Sequence, residues 1–78
     1  MTRAAFRSML EEILSVPPGS LQDSDTRETV QDWSSLMDVQ IMTIIGSELA
    51  LDEDPELMAF DSVGELLDEL ERRGAFTS

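Results

Sequence analysis

Apolar residues recur at Phe6, Met9, Leu10, Ile13 and Leu14, the i, i+3, i+4, i+7, i+8 spacing that puts side chains on one face of a helix. The spacing predicts an amphipathic helix over residues 3–15. Thr2 is placed to cap it, and Pro17-Pro18 stops it while restricting the residue ahead. Its single stripe reads as core. Residues 17–31 then form a connection rich in Pro, Gly, Ser, Asp and Thr. A connection this long in a small domain needs anchors, and Leu21, Val30 and Trp33 supply them. The loop reads as packed, with no chemistry of its own, and the indole N–H of Trp33 calls for an acceptor if it is buried.

Residues 32–49 break the pattern of a surface helix. The stretch opens on Asp32, Ser34 and Ser35, each able to accept a bond from an unpaired backbone N–H at a helix start. Ile41, Ile45 and Leu49, with Met42 beside them, form a stripe that can face a core. Leu36, Met37, Val39 and Ile44 remain, and one buried stripe cannot hide them all. A second apolar strip on the same helix predicts a docking surface. Ser35, in the first turn, sits where a helix N-terminus favours an anion.

Further on, Asp54-Pro55-Glu56 is a helix-start pattern, and Leu57, Met58 and Phe60 extend it to a short third helix. Asp52, Asp54 and Glu56 alternate like part of a calcium loop. The glycine and distal glutamate of that loop are missing, so no dedicated metal site is expected. Ser62 and Glu65 make a capping box ahead of Val63, Leu66, Leu67 and Leu70, a buried face. Arg72 and Arg73 suit the negative end, Gly74 closes it, and residues 75–78 are expected to fray. No repeat and no strand-like alternation interrupts this order. The pattern predicts an all-α fold: one domain over residues 1–78, a small four-helix bundle with a long loop between helices 1 and 2.

Composition narrows what such a bundle can do. A chain of 78 residues without cysteine builds a thin core and has no disulfide to staple it. No apolar run is long enough to cross a bilayer and no signal peptide is visible, so a soluble, cytoplasmic monomer is expected. Seventeen carboxylates against five arginines leave a formal charge of −12, which repels phosphate backbones and makes nucleic acid an unsuitable partner. The same charge attracts basic protein surfaces, or serves only to keep the chain in solution.

The absence of His, Cys and Lys removes the usual base for a serine nucleophile and the nitrogen and sulfur ligands of a zinc site. Carboxylates remain, but a small bundle offers little enclosed space in which to shift their pKa values. The chain is therefore not expected to be an enzyme. A serine held out at a loop-to-helix junction is instead suited to be a substrate. An anionic group placed there would meet the free N–H groups of the first turn. The alternative is that Ser34 and Ser35 only cap the helix.

Trp33-Ser34-Ser35-Leu36 at the head of an apolar helix resembles the acyl carrier proteins, where a serine followed by leucine carries 4′-phosphopantetheine and Trp-Asp-Ser-Leu is a common variant. The similarity covers nearly the whole chain: a first helix ending near Pro17-Pro18-Gly19, a long loop, a second helix, an acidic link and a short final helix. It implies that Ser35 bears 4′-phosphopantetheine from coenzyme A, and that an acyl or aminoacyl group rides on its thiol as a thioester. The implied partners are a phosphopantetheinyl transferase, a loading enzyme, and a ketosynthase or other acyl-processing enzyme. Ser34, Leu36, Met37, Val39, Gln40 and Thr43 are the residues expected to meet them.

Ser34 departs from the family, which usually has Asp there, and this bears on which transferase acts. Met37, Gln40, Gly46 and Ser47 stand on a helix that is more acidic in many fatty-acid carriers, which implies apolar docking and a polyketide or other secondary-metabolite pathway. Two alternatives stand beside this stand-alone acyl carrier. One is a peptidyl carrier of the nonribosomal type. The other is an unmodified helical adaptor that uses the same apolar strip.

Overall fold

Thr2 Oγ1 accepts the Ala5 N–H at 3.1 Å and starts helix α1, Arg3–Leu14, in the computed structural model, which describes residues 1–30, 33–51 and 55–77. Phe6, Leu10 and Leu14 of α1 are buried. They meet Ile41 and Ile45 of α2, Ser35–Glu48, and Val63, Leu66, Leu67 and Leu70 of α3, Val63–Arg72, in one core. No strand occurs among the described residues.

The expected four-helix bundle is corrected, among the described residues, to three α-helices and one turn of 3₁₀ helix, Pro55–Met58. Four residues are too few to offset the cost of nucleating an α-helix, and Pro55 brings no N–H. The turn closes with an i→i+3 bond instead, Ala59 N–H to Glu56 O at 3.1 Å. Leu57 and Phe60 still anchor it in the core. Asp52 and Asp54, which suggested a calcium loop and a helix start, lie outside the described residues, as does Asp32.

All three α-helices end the same way, with a left-handed residue just past the last turn. For α3 it is Gly74, at φ 76°. Its N–H reaches Glu71 O and the Ala75 N–H reaches Leu70 O, each at 3.0 Å, the paired bonds of a Schellman motif. For α1 it is Ser15, at φ 58°, with Ser15 N–H to Glu12 O at 3.2 Å and Val16 N–H to Glu11 O at 3.1 Å. The first helix thus stops one residue before the expected end, ahead of the prolines. For α2 it is Ala50, at φ 55°. A side chain in this region costs about 1 kcal/mol that glycine does not incur. Ser15→Gly and Ala50→Gly are each expected to raise stability by several tenths to about 1 kcal/mol, read as a higher urea midpoint.

Residues 75–77 are held in place rather than frayed, and Ser78 lies outside the described residues. Ala75 is buried, Phe76 packs on Phe6 with ring centroids 5.8 Å apart, and the Thr77 N–H reaches Met1 O at 2.9 Å. The turn at Gly74 folds residues 75–77 back against α1, where an apolar pair rewards the ordering.

The long loop is held by more than its apolar anchors. Leu21 and Val30 are buried as expected, and the Leu21 N–H is bound at 3.0 Å by Oε2 of Glu11, a carboxylate only 5% exposed on α1. The loop also caps α3: Asp25 O accepts the Val63 N–H and Asp23 O the Gly64 N–H, both at 2.9 Å. A Cβ at position 64 would lie 2.9 Å from Asp23 Cβ and 3.2 Å from Asp23 O, so this approach requires glycine. The capping box forms with a shift. Ser62 Oγ accepts the Glu65 N–H at 3.3 Å, and Glu65 Oε2 reaches the Asp61 N–H at 2.6 Å, one residue before the cap. Arg3 bridges α1 to α3 through Asp68 at 2.8 Å and Glu71 at 2.9 Å. The hydrogen bond to Asp68 holds the Arg3 guanidinium above its ordinary pKa.

Candidate functional site

The head of α2 is exposed. Ser34 is the N-cap, in extended backbone at φ −123°, and its carbonyl accepts the Met37 N–H at 3.0 Å and the Asp38 N–H at 3.2 Å. Its side chain makes no capping hydrogen bond, unlike those of Thr2 and Ser62. Ser35 follows as the first helical residue, also exposed. The simplest structural reason for a serine at position 34, that its hydroxyl caps the helix, does not apply.

A strip runs from Ser35 along the solvent face of α2. Leu36 and Val39 are each 61% exposed, and Gln40, Thr43 and Ser47 are exposed beside them at helical spacing. Thr43 Oγ1 donates to Val39 O at 2.9 Å, so this hydroxyl is turned onto the backbone. No charged residue stands among these five, on a chain of net charge −12. The surplus of apolar side chains divides evenly: Leu36 and Val39 stay outside, whereas Met37 and Ile44 are half-buried against the core. Of the residues expected to meet partners, Ser34, Leu36, Val39, Gln40 and Thr43 are therefore exposed, and Met37 turns inward.

Asp38, in the first turn of α2, is half-buried and holds two partners. Its Oδ1 accepts the Trp33 indole N–H at 2.7 Å and Arg27 Nε at 3.3 Å. This answers the demand of the Trp33 indole. Arg27 was not legible as a site residue. Its guanidinium also donates to Phe60 O at 3.0 Å and Met58 O at 2.8 Å, and it lies 4.1 Å from the Phe60 ring and 5.5 Å from that of Trp33. Trp33 and Phe60 themselves are in contact, with centroids 5.7 Å apart and planes tilted by 53°.

Surface hollows among the described residues include one lined by Glu56, Leu57, Phe60 and Leu66, one by Arg7, Glu11, Pro18 and Leu21, and one by Thr26, Arg27 and Phe60; Ser35 lines none of these three. No cluster of three or more metal-binding side chains occurs among the described residues. None of the described helices is long and apolar enough to cross a membrane. Comparison with protein-family models, with curated proteins and with solved structures finds no match to this chain.

Proposed function

We propose that this chain is a carrier domain whose Ser35 receives 4′-phosphopantetheine and presents an acyl or aminoacyl group to partner enzymes. The observation that carries the reading is the exposed hydroxyl-bearing residue at the first position of α2, next to an uncharged strip that holds Leu36 and Val39 in solvent. A transferase would move phosphopantetheine from coenzyme A to Ser35 Oγ. A phosphodiester forms there, adenosine bisphosphate leaves, and the hydroxyl proton is lost. The residues present fit that group: the start of α2 offers backbone N–H groups and a positive dipole end to the new anion, and Ser35 is exposed. When bound, the arm supplies a thiol for thioester formation.

Leu36, Val39, Gln40 and Thr43 form the face on which transferase, loading enzyme and ketosynthase or related acyl-processing enzymes would dock. Because the strip is uncharged, docking on it rests on Leu36 and Val39 rather than on ion pairs, which favours a polyketide or other secondary-metabolite pathway as the setting. A peptidyl carrier would use the same geometry.

Incubation of the chain with coenzyme A and a broad-specificity phosphopantetheinyl transferase is expected to add the mass of one phosphopantetheine. Ser35→Ala should abolish the adduct and Ser34→Ala should retain it, read by intact mass spectrometry. An adduct that survives Ser35→Ala would refute the assignment. No adduct with several transferases would favour the second reading, an unmodified adaptor that binds a protein through exposed Leu36 and Val39.

A further inference from the structure

We infer that Arg27 is a positioning residue for Ser35, clamping the head of α2 to the segment that follows the 3₁₀ turn. The inference rests on the carrier reading and names a residue that this reading does not itself require.

Three segments distant in sequence converge on one guanidinium. Arg27 stands in the long loop, Asp38 in the first turn of α2, and Met58 and Phe60 at the end of the 3₁₀ turn and just beyond it. Nη1 and Nη2 each take one carbonyl, Nε takes the carboxylate, and the plane lies against the Phe60 ring. Charge-assisted bonds of this kind are strong when partly withdrawn from water, and the Arg27 and Asp38 side chains are 34% and 33% exposed. A lysine could not replace it: one ammonium cannot meet two carbonyls and a carboxylate in a fork while stacking on a ring.

The clamp brackets Ser35. Trp33, two residues before it, is fixed by its bond to Asp38 and its contact with Phe60. Asp38, three residues after it, is fixed by Trp33 and Arg27. Helix starts are ordinarily pinned by the N-cap side chain, and the Ser34 side chain makes no such bond. The direction in which the first turn of α2 presents Ser35 is therefore set through Trp33 and Asp38, with Arg27 holding both against Phe60. Without Arg27, Asp38 keeps the indole alone and the carbonyls of Met58 and Phe60 lose their donor. The turn that bears Ser35 then samples several orientations, and a transferase must select among them.

The test is the steady-state rate of phosphopantetheine transfer from coenzyme A to the intact chain, for wild type, Arg27→Lys and Arg27→Ala. It is measured in buffer where circular dichroism finds each variant fully folded. A control, Thr2→Ala, removes the α1 cap and destabilises the chain away from the clamp. For both Arg27 variants, kcat/KM is expected to fall about ten- to a hundredfold, the scale of a misplaced reacting group, chiefly through KM for the carrier. Acrylamide quenching of Trp33, the single tryptophan, should rise in parallel. Thr2→Ala should keep both values within twofold of wild type. Folded Arg27 variants with wild-type kinetics would overturn the inference while leaving the carrier reading intact. An equal loss in Thr2→Ala would overturn it as well, by reducing the effect to stability. A wild-type chain that takes no adduct would overturn the carrier reading, and this assignment with it.

Discussion

Phe6→Ala is expected to remove a large share of the folding free energy of the chain at 25 °C. Phe6 is fully buried and meets residues of α2, α3 and the tail in a single core. Removing a buried phenylalanine ring costs about 3–5 kcal/mol in lost transfer free energy and residual cavity. A domain of 78 residues has about 4–12 kcal/mol to lose, at roughly 0.05–0.15 per residue. There is no disulfide to hold the remainder together. With a urea slope near 1 kcal/mol per molar for a chain this small, the midpoint should drop by about 3 M or more. Phe76→Ala removes only the outer ring of the pair, which is half-buried, and should cost markedly less. Far-ultraviolet circular dichroism through a urea titration checks both. Equal losses in the two variants would mean that the tail, and not the three-helix core, dominates stability.

Glu11→Ala should be the most damaging substitution of a charged residue. The Glu11 carboxylate is 5% exposed and is bound by the N–H of Leu21, itself buried. Alanine removes the acceptor of that buried N–H, at a cost of about 2–3 kcal/mol for a bond to a charged acceptor. Glu11→Gln keeps a carbonyl oxygen at nearly the same point and should cost about 1 kcal/mol or less. The comparison isolates the hydrogen bond from the volume of the side chain. Loss of the bond should also loosen the start of the long loop, which amide exchange at Leu21 would report. If alanine and glutamine are tolerated equally, the loop is held by Leu21 and Val30 packing alone.

Periodic features were legible in the sequence, and features that depend on one long-range contact were not. The stripes through Phe6, Leu10 and Leu14, through Ile41 and Ile45, and through Val63, Leu66, Leu67 and Leu70 are local patterns, and each became a buried face. The caps at Thr2 and Ser62 are likewise local. Glu11 reads from the sequence as a solvated carboxylate, because nothing near it announces that Leu21 will return to meet it. Arg27 has no periodic context at all; its partners lie 11 to 33 residues away. The third helix was overcalled because Leu57, Met58 and Phe60 carry the apolar character of a helix without its length. At the candidate site, the serine and the apolar strip could be read from residue type and spacing. The inward turn of Met37 and the two partners of Asp38 could not, since both depend on neighbours supplied by the fold.

The seam between residues 1 and 77 sets a condition on how the chain acquires its structure during synthesis. Its hydrogen bonds join positions 76 apart, and the Phe6 ring lacks its stacking partner until residue 76 has been made. A nascent chain halted after α3 would still show an uncovered aromatic surface on α1. The seam therefore closes only after residues 75–77 have left the ribosome, whatever part of the three-helix core has already formed.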